Sequence, residues 1–207
     1  MSYRAVIFDL GGVVVGSPLH AIAAYERDTG IAEGSINRIV VATGPGGAWS
    51  RLERGELTLE AFYPAFEADC DAYGCRISAR TMMGLVAEST QPRPAMLEAI
   101  RRIRAYGLLA AAVTNNWVTE EEGTRVLRPF FDVFIESAVV GIRKPDPRIF
   151  LLACGELGAE PAEVVVLDDI GSNLKSAREL GMTTIKVVDP DTALAELESV
   201  LELALRR

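Results

Sequence analysis

Short apolar runs at 4–8, 108–113, 164–167 and 183–188 punctuate the chain, each four to six residues long and without strict polar alternation. Runs of that length that stay apolar on both faces read as buried strands. A weaker strand is predicted at 133–135. Segments at 95–105, 120–127, 147–157, 174–180 and 192–205 read as helices between and after these runs. Alternating strands and helices predict an α/β fold, a doubly wound parallel sheet with helices on both faces. From 16 to 91 the pattern changes: five helices, at 19–27, 36–43, 49–54, 59–73 and 78–87, follow one another without a strand. Pro92 and Pro94 then mark a return to the strand–helix pattern, because proline disfavours helix before it and suits a helix start. The expected organisation is a core of 1–15 and 92–207, with a small helical unit of 16–91 inserted after the first strand.

The composition narrows the partners. A formal net charge of −8, with basic residues scattered rather than clustered, gives no field for a nucleic acid. The apolar stretch 5–15 is too short to span a bilayer and carries Asp9, so no membrane association and a cytoplasmic protein are expected. Cys70, Cys75 and Cys154 have no metal-ligand spacing and suit a reducing compartment. Monomer and homodimer are both compatible with the sequence.

In open parallel sheets ligands sit at the carboxyl ends of the strands. Asp9 follows the first run, Thr114, Asn115 and Asn116 follow the second, Asp168 and Asp169 follow the third, and Lys144 lies in a loop before Pro145. Phosphoryl transfer asks for such a set: a nucleophile, a divalent cation, donors for phosphate oxygens and a fixed positive charge. Asp9 and Asp169 would repel unless a hard cation such as Mg²⁺ lay between them. Thr114 and Asn115 offer donors and Lys144 the charge, while Gly11 and Gly12 let the backbone approach a ligand. Taken singly, Thr114 to Asn116 could be a turn or helix cap, and only the constellation favours function.

The segments F-D-L-G-G-V-V at 8–14, T-N-N at 114–116, K-P at 144–145 and L-D-D-I-G-S-N at 167–173 resemble, in order and spacing, the four motifs of the haloacid dehalogenase superfamily. Segments 47–59 and 140–145 bear a narrower resemblance to the amino-terminal phosphatase domain of soluble epoxide hydrolases and the related domain fused to some acyl-CoA dehydrogenases. The resemblance implies a hydrolase of small phosphorylated metabolites, with sugar phosphates among the candidate substrates. It implies Asp9 as the nucleophile that forms an aspartyl-phosphate, Thr114 and Asn115 as phosphoryl binders, and Lys144 as the stabilising cation. It implies Mg²⁺ held by Asp9, the carbonyl of Gly11 and Asp169, and a helical cap at 16–91. Asp168 and Asn173 stand where many relatives have glycine and a second aspartate.

One position departs from that pattern. Relatives of the phosphatase type carry a second aspartate, an acid and base worth roughly 10²–10⁴-fold in rate, where this chain has Gly11. Three readings are compatible with the sequence: a slow or selective phosphatase, a catalytically impaired phosphate-binding regulatory protein, and a 2-haloacid dehalogenase. The last fits least, since its relatives lack the acidic pair at 168–169 and usually have an aromatic residue where Gly11 stands. The run at 44–47, Gly-Pro-Gly-Gly, matches no phosphate-loop spacing and reads as a turn. Trp49, Tyr63 and Trp117 read first as packing residues, with Trp117 the favoured candidate for substrate contact, and His20 has no assigned role.

Overall fold

The structure is a computed structural model that describes residues 3–119 and 123–206. In chain order its elements are β1 (Ala5–Phe8), α1 (Pro18–Thr29), α2 (Ser35–Thr43), α3 (Ala48–Glu53), α4 (Leu59–Asp71), α5 (Ala79–Ser89) and α6 (Pro94–Ala105). There follow β2 (Leu109–Thr114), β3 (Val133–Glu136), α7 (Ser137–Val140), α8 (Pro147–Leu157), β4 (Val164–Asp168), α9 (Gly171–Glu179), β5 (Thr183–Lys186) and α10 (Pro190–Leu201). The five strands form one parallel sheet in the order β3-β2-β1-β4-β5. β1 is central, pairing with β2 on one side and β4 on the other, and the chain reverses its direction of winding there. Such a reversal opens a crevice beyond the strand ends.

Alternate strand residues feed two cores. Val6, Phe8, Ala110, Ala112, Val165 and Leu167 face α6 and α10, through Met96, Ile100, Ile103, Leu194 and Leu197. Ala5, Ile7, Ala111, Val113, Val164 and Val166 face α8 and α9, through Ile149, Phe150, Ala153 and Leu174. With both faces covered, the three central strands β1, β2 and β4 are apolar and buried along nearly their whole length, whereas the edge strand β5 is Thr-Thr-Ile-Lys with Lys186 exposed. Helices α1–α5 pack instead around a third cluster of their own, built on Ile22, Ile36, Trp49, Leu52, Phe62, Phe66, Met82 and Val86.

Helix ends follow local chemistry. Pro18, Pro94, Pro147 and Pro190 each stand in the first turn of a helix, where the missing N–H costs nothing. Thr58, Ser78, Asp146 and Asp189 cap α4, α5, α8 and α10 through their side-chain oxygens.

Several boundaries differ from expectation. The helix predicted at 120–127 has its first three positions outside the described residues. Its remainder belongs to a 3₁₀ stretch, Gly123–Phe130, that contains Pro129. The helix predicted at 192–205 stops at Leu201. Glu202 adopts φ 56°, and the chain turns so that Leu205 enters the first core. The Glu198 carboxylate accepts from the backbone N–H groups of Leu205 and Arg206 at 2.7 and 2.6 Å and holds the turn. The last strand ends at Lys186, two residues early. The short helix α7 carried no readable period. Among the described residues no helix is long and apolar enough to cross a membrane.

Candidate functional site

Asp9 leaves the end of β1 while its N–H still bonds the Leu167 carbonyl of β4 at 2.9 Å. Its side chain therefore projects at the crevice between β1 and β4. Oδ1 accepts from the Leu10 N–H at 2.7 Å and lies 2.8 Å from the Lys144 ammonium. That ammonium also lies 2.7 Å from Asp168 Oδ2, and both Lys144 and Asp168 are buried. Oxygens of Asp9, Asp168 and Asp169 can be chosen within 4.8 Å of one another.

One lysine faces three carboxylates, and burial makes the imbalance costly. Burial pushes Asp9 up to about 7, against the pull of Lys144, and the charges of Asp168 and Asp169 push the same way. Asp169 rises to about 6, again from burial and then from Asp168. Burial alone would lower the Lys144 ammonium, but Asp168 and Asp9 outweigh it and hold the lysine above its ordinary value. The site is a cluster of carboxylates short of positive charge.

The two adjacent acids have different environments. Asp168 is saturated: Oδ1 accepts from the Ile170 N–H at 2.7 Å, Oδ2 from Lys144, and Asn173 Nδ2 reaches both oxygens at 3.0 and 3.1 Å. Asp169 is only partly buried, and its backbone carbonyl is held by Lys186 Nζ at 2.6 Å. Its carboxylate lies against the loop after β1. A Cβ built on Gly12, which has φ +76°, would come within 2.1 Å of Asp169 Oδ2.

Asn115 is positioned by β2 but spends much of its amide on the chain beside it. Nδ2 donates to the Lys144 carbonyl at 3.0 Å and Oδ1 accepts from the Lys144 N–H at 2.8 Å. This clamp fixes the Lys144-Pro145 loop and leaves Asn115 one Nδ2 hydrogen for a ligand. Thr114 is the buried last residue of β2, in register with Glu136 of β3. Asn116 is not among the residues lining the site, and its Nδ2 donates to Glu136 Oε1 at 2.8 Å.

A cavity of about 410 Å³ opens above these groups. Asp9, Gly11, Asn115, Lys144 and Asp169 line its polar end, and Leu19, Ile22, Ile36, Val40, Trp49 and Trp117 supply apolar wall. Both tryptophans thus line the cavity, packed against each other with centroids 6.3 Å apart. Tyr63 does not: it lies in the third cluster, under the Arg80 guanidinium. The turn at 44–47 reaches the cavity through Gly44 and Pro45, and His20 is exposed outside it.

Sequence reasoning missed three residues. Arg93 Nη1 donates to the carbonyls of Gly12 and Val13 at 2.6 and 3.1 Å, tying down the loop that follows Asp9. Glu53 and Arg143 both line the cavity and pair with Nε to Oε2 at 2.5 Å. They fall within the segments 47–59 and 140–145, but nothing local distinguishes them from surface charges.

A parallel sheet that presents Asp9 at the end of β1, Asn115 after β2 and Asp168 with Asp169 at the end of β4, around the buried Lys144 from the loop between α7 and α8 and under a cavity, is an acidic site on an α/β fold. The description "haloacid dehalogenase-like hydrolase" matches residues 3–181, and the chain belongs to that family. It is 41% identical over 99% of its length to acyl-CoA dehydrogenase family member 10 of Mus musculus, and 37% identical over 99% to bifunctional epoxide hydrolase 2 of Sus scrofa. It spans only 20% and 40% of those two proteins. A sesquiterpene phosphatase of Aspergillus oryzae is 23% identical, over 97% of both chains. Among solved structures, a haloacid dehalogenase family enzyme of Bacteroides thetaiotaomicron in complex with magnesium and inorganic phosphate shares the fold, with a TM-score of 0.62 at 18% identity over 89% of this chain and 94% of that one.

Proposed function

We propose that the protein is a magnesium-dependent phosphatase that hydrolyses a small phosphomonoester through an aspartyl-phosphate on Asp9. The observation that carries this reading is the Lys144 ammonium 2.8 Å from Asp9 Oδ1, beside two further carboxylates, at the polar end of a cavity. Carbon chemistry at Asp9, as in a dehalogenase, would have no use for gathered carboxylates.

The donor set fits Mg²⁺. It consists of oxygens only, as a hard cation prefers, and its charge deficit is one a divalent ion removes. Asp9, Asp169 and the Gly11 carbonyl would hold the ion, which when bound supplies charge neutralisation for the carboxylates and the phosphoryl oxygens. Asp168, saturated by Lys144, Asn173 and Ile170, would orient the lysine instead.

The residues then divide the work. Asp9 attacks phosphorus with its free carboxylate oxygen. Lys144 pulls Asp9 toward its ionised form and donates to a non-bridging phosphoryl oxygen. The spare Nδ2 hydrogen of Asn115 and the hydroxyl of Thr114 bind the same group. The P–O bond to the organic part breaks, and water later attacks phosphorus to release phosphate and regenerate Asp9. Gly11 offers no proton to the departing oxygen, so good leaving groups react fastest. Helices α1–α5 act as a cap that closes the cavity and excludes water. Its tryptophan and aliphatic wall suits an organic part that is at least partly apolar, a preference supported by the likeness to a sesquiterpene phosphatase.

The test is phosphate release from a panel of phosphomonoesters, with and without Mg²⁺, beside Asp9→Asn. Metal-dependent turnover lost in the variant is expected; turnover without metal, or retained in Asp9→Asn, refutes the mechanism. Gly11 favours a second reading, a phosphate-binding regulatory protein without turnover. Phosphate binding with silence across the panel would establish it.

A further inference from the structure

The phosphoryl site leaves Glu53 and Arg143 without a task, although both line the same cavity as Asp9. Glu53 ends α3 and is buried, while Arg143 immediately precedes Lys144 and keeps part of its side chain exposed. Among the described residues theirs is the only ion pair between segment 16–91 and the rest of the chain.

Docking alone does not account for the geometry. The helical segment already seats on the core through Trp49 against Trp117 and through Gly55, whose added Cβ would meet the Ala138 carbonyl at 2.2 Å. Arginine–carboxylate pairs are frequently bidentate, which uses both oxygens and the guanidinium fork on one another. Here Glu53 gives Oε2 to Arg143 Nε and Oε1 to the Trp49 indole N–H at 3.0 Å. Arg143 Nη1 makes a long contact of 3.5 Å with Ser50 Oγ, and Nη2 has no hydrogen-bond partner among the described residues. Unused donor capacity therefore remains on a guanidinium that borders a largely apolar cavity, next in sequence to the lysine that contacts Asp9.

We propose that Arg143 is a specificity-determining residue that donates from its free guanidinium edge to a neutral oxygen on the organic part of the phosphomonoester, with Glu53 as the positioning residue that holds it. This rests on the phosphomonoester reading. The oxygen is neutral because Glu53 already offsets the arginine charge, and a second anion would gain little and meet the nearby carboxylates. The substrate class is a phosphomonoester with a hydroxyl or carbonyl oxygen a few bonds from phosphorus and an apolar remainder against Trp49 and Trp117. A donor left unpaired by an ester lacking that oxygen is the source of discrimination.

The experiment measures calorimetric binding of propyl phosphate and 2-hydroxypropyl phosphate to the full chain carrying Asp9→Asn, with Mg²⁺, so that turnover is not required. The hydroxylated ester is expected to bind about tenfold more tightly, as a hydrogen bond to a charged donor predicts. Adding Arg143→Met should bring that ratio to about one, and Glu53→Gln should shrink it. If Arg143→Met fails to fold, Arg143→Lys, which keeps the charge and loses the fork, should also reduce the ratio. Equal binding of the two esters, no binding of either, or a preference that survives substitution of Arg143 overturns the proposal. So does an equal loss for both esters, which marks the pair as docking only. Metal-dependent phosphate release by the wild-type chain judges the phosphatase reading separately.

Discussion

The Asn173 amide grips both carboxylate oxygens of Asp168, at 3.0 and 3.1 Å, and so commits that acid to Lys144 rather than to a ligand. Asp168→Asn would leave the buried ammonium with Asp9 as its one remaining carboxylate partner. Losing a buried acceptor costs ~1–3 kcal/mol, and because Asp9 still pairs the lysine and Asp168 no longer repels Asp9 and Asp169, the lower end is expected. Denaturant unfolding at neutral pH measures it. A loss within the ±0.5 kcal/mol typical of surface substitutions would show that Lys144 does not need Asp168.

Gly12→Ala should abolish the Mg²⁺-induced rise in melting temperature expected of the wild-type protein. The new methyl would stand 2.1 Å from Asp169 Oδ2, so the acid proposed to hold the ion must move. Gly30→Ala is the matched control. Gly30 has φ +75° but nothing within 4 Å of its added Cβ. It should show only the left-handed backbone penalty, about 1–2 kcal/mol, with its Mg²⁺ response intact. Equal Mg²⁺ responses in the two variants would refute the role given to Asp169.

Arg93→Met removes the donor to the Gly12 and Val13 carbonyls. Hydrogen bonds from a charged donor are worth ~1.5–3 kcal/mol, and a loosened loop after Asp9 misplaces the nucleophile. Phosphatase kcat should fall by about tenfold or more, the scale on which small misplacements act. Unchanged kcat with normal stability would show that the loop holds its shape without Arg93.

Gly11→Asp alone should gain little, because even a Cβ at that position meets the Pro18 ring at 3.2 and 3.3 Å. Paired with Pro18→Ala it should raise hydrolysis of simple alkyl phosphates by roughly 10²-fold, the lower range for general acid–base catalysis. Turnover of p-nitrophenyl phosphate, whose leaving group needs no proton, should rise much less. A parallel rise for both ester types would locate the limitation elsewhere than in proton transfer.

Much of the fold was legible because it is written in short-range pattern. Runs such as Val164–Val166 and Ala5–Phe8 are apolar on both faces, which a covered parallel strand requires and an exposed one does not. The change to strandless helices between 16 and 91 was equally local. So were the positions of Asp9, Thr114, Asn115, Lys144 and Asp169, each just beyond or between such runs, where a parallel sheet presents its chemistry.

The tertiary structure decided which of those side chains are free. Asp168 and Asp169 are identical neighbours in sequence, yet one is saturated by Lys144 and Asn173 and the other looks toward Gly12. Asn115 could be read as a phosphate donor, but most of its amide goes to the Lys144 backbone 29 residues away. The sheet order, the burial of Leu205 beyond the end of α10, and the pairing of Glu53 with Arg143 across 90 residues have the same origin. Periodicity and capping act within a few turns of chain, whereas these partners meet only when the strands assemble and burial forces every charge to find a neighbour.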